Sequence, residues 1–213
     1  MLYYKSFNEP GKKKLSVEPL IDPTSSITDT YIGKYTEIGR NNSIAESSIN
    51  DYSYTCENCQ IIYSEIGKFV NIASYVRLNP GQHPMQWISQ HHFLYRKEMY
   101  GFGEDDNSFF EWRRNQKVII GNDVWLGHNS LVMGGISVGD GAVVGSCSVV
   151  TKDVPPYSIV AGVPAKVIKY RFNGEIIEKM LEIKWWNWPH EIIMKRLNDF
   201  KDPEHFIKQY SKS

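Results

Sequence analysis

From Ile120 onward every sixth residue is aliphatic: Ile120, Leu126, Val132, Val138, Val144 and Val150. A glycine follows four of these six, at Gly121, Gly127, Gly139 and Gly145. The same beat runs through Ile32, Ile38 and Ile44, and again through Ile66, Ile72 and Leu78. A period of six matches neither the 3.6 of a helix nor the 2 of an isolated strand. The glycines and the Val/Ile richness also disfavour helix. The pattern therefore predicts a solenoid with three flat sides, one hexapeptide to a side. Each aliphatic anchor points inward, and the small residue behind it permits a tight corner and close packing of backbones. Successive coils then pair as parallel strands about 4.8 Å apart, and the anchors stack into continuous columns.

Where the beat breaks is equally informative. Ile44 and Ile66 lie 22 positions apart, not a multiple of six, which predicts a loop at one or more corners, with Asp51–Gln60 the expected place. Residues 80–117 hold no anchors and are too long for an idle connection, so they form a candidate functional loop. Eight of them are aromatic: Trp87, Phe93, Tyr95, Tyr100, Phe102, Phe109, Phe110 and Trp112. These rings either wall a ligand site or pin the excursion onto the solenoid. Past Asn173 the beat stops, and Ile176, Ile177, Met180 and Leu181 form the stripe of an amphipathic helix. Pro189 opens a second helix with Ile192, Ile193 and Leu197 on one face. With Trp185, Trp186 and Trp188 between them, these helices are expected to cover an open solenoid end or a neighbouring subunit. The chain divides into an N-terminal segment, 1–26, a β-helix, 27–172, carrying the insertion 80–117, and a helical segment, 173–213.

Charge narrows the partners. Lys and Arg number 24 and so do Asp and Glu, so no net field gathers a polyanion and nucleic-acid binding is not expected. No apolar run approaches the roughly 20 residues of a membrane helix, and the start MLYYKSFNEPGKKK has no signal-peptide pattern. Three cysteines argue against a disulfide framework and fit a reducing cytoplasm. Cys56 and Cys59 form a lone CxxC, read as loop cysteines, and Cys147 reads as a small solenoid residue.

The stretch Ile120–Phe172 resembles the cofactor-binding half of hexapeptide-repeat acyltransferases. The segment Asn79-Pro80-Gly81-Gln82-His83-Pro84, the excursion after it and the tail Trp185-Trp186-Asn187-Trp188 narrow the resemblance. They are similar to the xenobiotic acetyltransferase group, which includes chloramphenicol and streptogramin acetyltransferases, and most to its members associated with phosphonate metabolism. The resemblance implies an all-β-dominated fold, a left-handed parallel β-helix with a long inserted loop and a C-terminal helical tail. It further implies a homotrimer with active sites between subunits, acetyl-CoA as co-substrate, a small-molecule acceptor and no metal.

The same resemblance assigns residues. His83 matches the catalytic histidine of the Gly-x-His-Pro loop and would act as general base on an acceptor hydroxyl. Trp125, Gly127, Ser146, Thr151, Lys152, Lys166 and Lys169 fall where relatives contact the cofactor. A backbone amide near Gly127–His128 would meet the developing oxyanion. Glu57 and Asn58 are candidates to bind the acceptor, and Glu104, Asp105 and Asp106 would disfavour an anionic acceptor if they faced it. Two other classes remain open at this point. A γ-type carbonic anhydrase shares the fold but needs three imidazoles on zinc, and its ligand spacing is missing here. A non-catalytic β-helix binding module would give His83 no role.

Overall fold

The structure, a computed structural model, describes residues 13–211; the first twelve residues of the N-terminal segment lie outside it. The chain winds as a left-handed parallel β-helix of three sheets. The first sheet holds Leu20–Ile21, Glu37–Ile38, Tyr54–Thr55, Asn71–Ile72, Trp125–Leu126, Val143–Val144, Ser158–Gly162 and Ala165–Tyr170. The second holds Ser26–Thr28, Ser43–Ala45, Gln60–Ile62, Arg77–Leu78, Leu131–Val132 and Val149–Val150. The third holds Tyr31–Ile32, Ser48–Ile49, Ser64–Ile66, Val118–Ile120 and Ser137–Val138. All pairings are parallel except the last, where Ala165–Tyr170 turns back against Ser158–Gly162. The first strand, Leu20–Ile21, falls within the stretch set apart from the sequence as an N-terminal segment.

The anchors stand in register. One column runs Ile32, Ile49, Ile66, Ile120, Val138. A second passes through Ile38, Thr55, Ile72, Leu126 and Val144, and a third through Ile44, Ile61, Leu78, Val132 and Val150. Apart from Ile32, each is at most 2% exposed. Burying a side chain of this size is worth about 1.5–3 kcal/mol, so each column contributes several such terms to stability.

The loop expected at Asp51–Gln60 is absent. The steps from Ile44 to Ile66 pass through Ile49, Thr55 and Ile61, two of them six residues long and two five. The short step recurs at the same corner, between the second and third sheets, in each early coil. Ile32 accordingly faces Ile49 seventeen positions on, whereas Ile120 faces Val138 eighteen on. One residue fewer at a fixed corner leaves every coil in step with its neighbours. The glycines behind the anchors serve close approach between coils: a Cβ on Gly67 would stand 2.6 Å from the Gly121 carbonyl oxygen. The left-handed corners themselves use Asn41, Asn58, Asn129 and Cys147 at one edge.

Asn42 shows how a polar residue is accommodated inside. It is 2% exposed. Its amide donates to the Gly39 carbonyl, the Thr55 hydroxyl and the Cys56 carbonyl, each at 2.9 Å. Its oxygen accepts the Cys59 N–H at 2.7 Å. Asn42→Ala orphans these groups, and a loss of about 1–3 kcal/mol should appear as a lower urea midpoint with unchanged slope. Cys59 is itself a core residue, 0% exposed, which corrects its reading as a loop cysteine. Burial pushes its thiol up to about 11 from an ordinary 9.0. Between those values an unfolded chain would ionise while the folded one stays protonated, so this group withdraws stability as pH rises through that window. A maleimide at pH 8 should label exposed Cys147 in the native protein and reach Cys59 only in denaturant.

The tail covers a side of the prism rather than an end. Tyr35, Tyr52 and Phe69, all at positive φ on the corner between the third and first sheets, stack at 5.0 and 4.5 Å. Helix α2, Gly174–Ile183, is capped by Asn173. His190, which starts the short helix α3 (His190–Lys195), stacks on Tyr35 at 4.7 Å, and its Nδ1 lies 3.0 Å from the Tyr52 hydroxyl. Trp185 meets Phe69 at 4.8 Å. Leu197 falls beyond the second helix and is exposed. Another helix, Pro203–Tyr210, closes the tail with Phe206 buried beside Trp188.

Candidate active site

The insertion leaves the second sheet at Asn79 and returns to the third at Val118. Asn79 fixes the base of this excursion by donating to the Gln116 carbonyl at 2.7 Å. Within it lies a nine-residue helix, Asn107–Asn115, capped by Asp106, whose carboxylate accepts from Ser108 and Phe109 N–H. The helix aims Arg113 back at the histidine loop. Its Nε donates to the Gln82 carbonyl at 2.8 Å, and Nη2 donates to the same oxygen. The guanidinium lies over Phe109 at 4.6 Å and Tyr95 at 5.2 Å. Tyr95 is 1% exposed and stacked on Phe109 at 3.9 Å. The loop aromatics thus build a small core of their own, while Phe110 and Trp112 line an adjoining cavity.

His83 projects from this platform. Its ring is exposed, and its Nδ1 sits 2.9 Å from the Gln90 carbonyl oxygen. A carbonyl only accepts, so Nδ1 carries the proton and donates it there. That tautomer leaves Nε2 with a free lone pair, the arrangement a general base needs. The Tyr95 hydroxyl lies 3.2 Å from Nδ1 and also receives Arg113 at 3.4 Å. His91 and His92 are otherwise engaged: His91 Nδ1 accepts the Phe93 N–H, and His92 Nε2 pairs with the Tyr100 hydroxyl at 2.7 Å. Among the described residues, no three His, Cys, Asp or Glu side chains gather as a metal-holding set.

A cavity of about 300 Å³ lies between the insertion and the outer face of the second sheet, with Gly81 and Gln82 in its wall. His83 follows them directly in the chain. Glu104, Asp105 and Asp106 stay out of that wall. Asp106 caps its helix, and Asp105 accepts the Glu98 N–H at 3.0 Å.

The other candidates are dispersed. Gly127 and Ser146 do meet, at the corner between the first and second sheets, where a Cβ on Gly127 would stand 2.6 Å from the Ser146 nitrogen. The Gly127 N–H is committed to the Val144 carbonyl at 2.8 Å, which removes it as an oxyanion donor. Trp125 is 53% exposed on the first sheet and shares a row with Val143, Ile159 and Lys169. Lys166 lies on the same terminal strand. Burial raises the nearby Asp123 carboxyl against the pull of Arg171, 2.9 Å away. Thr151 and Lys152 follow the last strand of the second sheet, at its far edge from Ser146. Glu57 and Asn58 stand at the corner entering the second sheet, whereas the His83 loop leaves from the other side, so one chain does not bring them together. The Glu57 carboxylate is paired with Arg40 at 2.7 Å. Arg113, the Gln90 carbonyl and the contact of Tyr95, named only as a loop aromatic, with the His83 ring were not foreseen. Asp106 followed by Ser108, Phe109 and Phe110 is a helix-start signal that could have revealed the first of them.

Residues 117–152 match the family described as bacterial transferase hexapeptide (six repeats). The chain is 45% identical over 127 residues to a chloramphenicol acetyltransferase of Morganella morganii, covering 58% of this chain and 59% of that protein. It is 38% identical over 154 residues to a probable macrolide acetyltransferase of Lysinibacillus sphaericus, covering 69% of this chain and 83% of the relative. The chain thus spans about three fifths of the chloramphenicol acetyltransferases it matches. In fold it is similar to AntD, an N-acyltransferase from Bacillus cereus, with a TM-score of 0.55 at 20% identity, over 78% of this chain and 90% of that one. The solenoid register, the histidine loop and these relatives agree: the chain belongs to the hexapeptide-repeat acetyltransferases of the xenobiotic acetyltransferase group.

Proposed function

We propose that this protein transfers an acetyl group from acetyl-CoA to a hydroxyl of a small acceptor, with His83 as general base. The observation that carries the reading is the Nδ1–H bond to the Gln90 carbonyl, which leaves Nε2 of an exposed ring unengaged, one residue along from the cavity wall at Gln82. A hydroxyl is a weak nucleophile until a neighbouring base takes its proton. His83 Nε2 accepts that proton as the acceptor oxygen attacks, and returns it to the departing sulfur. Acetyl-CoA would supply the activated acyl group. The flat corner at Gly127 and Ser146 suits a pantetheine arm, and the exposed Lys152, Lys166 and Lys169 suit phosphates by point charge. Trp125 would wall the groove and Thr151 would flank its nucleotide end.

Because Gly127 and Ser146 lie across the second sheet from the loop that carries His83, a complete site calls for a neighbouring subunit. A homotrimer with sites between subunits satisfies this, since a three-sided prism closes readily under threefold symmetry. In such an assembly Glu57 and Asn58 of one subunit would approach the acceptor held by another. No helix among the described residues is long and apolar enough to cross a membrane.

A thiol-release assay with acetyl-CoA tests the reading, run against chloramphenicol, a macrolide and simple polyols. Release matched by an acetylated product of the right mass is the expected result. Release no faster than buffer with every acceptor would remove the proposal. Sedimentation should give three times the chain mass.

A further inference from the structure

The cavity beside the histidine loop is cationic in a way its surroundings are not. Arg77 enters it from the second sheet, Arg96 from the insertion and Arg113 from α1 (Asn107–Asn115), and no Asp, Glu or Lys lines it. Basic residues close by but outside the cavity are neutralised. Arg114 pairs with Glu46 at 2.7 Å and Lys117 with Glu65 at 2.6 Å. Among the described residues, the guanidiniums of Arg77 and Arg96 meet no carboxylate and no hydrogen-bond acceptor. Arg113 gives its donors to a neutral carbonyl and a tyrosine hydroxyl, so its charge is not offset. Arg96 lies 5.1 Å over the Phe110 ring, which holds its stem in place without cancelling its charge. Asp105 and Asp106, which could have offset these charges, are occupied in turn and capping bonds, and neither they nor Glu104 line the wall.

A concave, partly apolar wall with charge of one sign focuses its field on a bound anion. Guanidinium is also the group that meets a carboxylate or phosphoryl oxygen pair in a fork. We propose that the acceptor of this enzyme carries an anionic group, carboxylate or phosphoryl, gripped by Arg77 and Arg96, with Arg113 adding charge behind them. Held there, the acceptor lies against Gly81 and Gln82, the two residues that lead directly into His83. The inference rests on the acetyl-transfer reading for its meaning, although the cavity itself can be probed without turnover.

Two measurements test it on the full-length protein and on the Arg77→Gln/Arg96→Gln double variant. Inorganic phosphate and acetate are titrated against each by NMR, with His83→Ala as a third sample. Saturable binding that weakens at least tenfold in the double variant and persists in His83→Ala is expected. Absent binding, or equal binding by the double variant, would overturn the proposal. Thiol release is then compared for glycerol, glycerate and glycerol 3-phosphate. An acid-bearing acceptor should exceed glycerol by tenfold or more in kcat/KM, with the advantage lost in the double variant; which acid wins tells carboxylate from phosphoryl. A preference for glycerol sinks the anionic acceptor while leaving acetyl transfer intact. So does a double variant whose only defect is a raised KM for acetyl-CoA, which would assign the arginines to the donor. If no hydroxyl compound releases thiol, the acetyl-transfer reading fails, and the phosphate titration still reports on the cavity.

Discussion

Replacing His83 by alanine is expected to lower kcat for acetyl transfer by about 10²–10⁴-fold, the usual contribution of a positioned base. The protein should remain folded, because the ring is exposed and its contacts are confined to the Gln90 carbonyl and the Tyr95 hydroxyl. Removing the imidazole takes away Nε2 but leaves the Arg113–Gln82 clamp that shapes the loop. The loss should therefore fall on kcat, with KM for acetyl-CoA little changed. Steady-state thiol release and a thermal melt on the same preparations separate the two effects. Equal turnover in both proteins would take His83 out of its role.

The largest stability effect is expected from Leu126→Ala, at about 2–5 kcal/mol. Leu126 is 0% exposed and lies in one column between Ile72 and Val144. Parallel coils above and below are tied by their own ladders, so the surroundings collapse little into the space left behind. Its neighbour Trp125 points the other way and is 53% exposed. In the isolated chain Trp125→Ala should therefore move stability by only about 0.5 kcal/mol. Denaturant unfolding of the pair measures the difference between the inner and outer faces of one strand. A similar loss from both would contradict the inward register of the columns.

The columns were legible because an aliphatic residue at every sixth position, sustained from Ile120 to Val150, suits a three-sided coil and neither a helix nor a lone strand. The five-residue steps were not. They join Ile44 to Ile49 and Ile61 to Ile66, and the six-residue steps between them run through Thr55, a buried polar residue that accepts from Asn42, so a search for aliphatic residues at a fixed interval loses the beat there. The tail was legible as helices but not in its placement. Its docking surface, Tyr35, Tyr52 and Phe69, is spaced at seventeen, a period visible only once the coil length is known. At the site, His83 was carried by family resemblance. What orients it is a main-chain carbonyl seven residues away, and a backbone group leaves no signature in the side-chain sequence. The Asp106 helix start signals the helix that carries Arg113, but the platform that Arg113 forms with Tyr95 comes from the insertion folding on itself, which no local pattern specifies.

Ile66 takes Ile120 as its partner as directly as Ile49 takes Ile66, although one step spans the whole excursion and the other a single turn of the prism. To the ladder, everything between Asn79 and Val118 is a detour that changes nothing. Selection for a new acceptor can therefore rewrite the detour while the rungs stay fixed, and relatives with unlike excursions can share one scaffold. A transplanted excursion would be judged first by whether its two ends meet at that corner, and only then by what it binds.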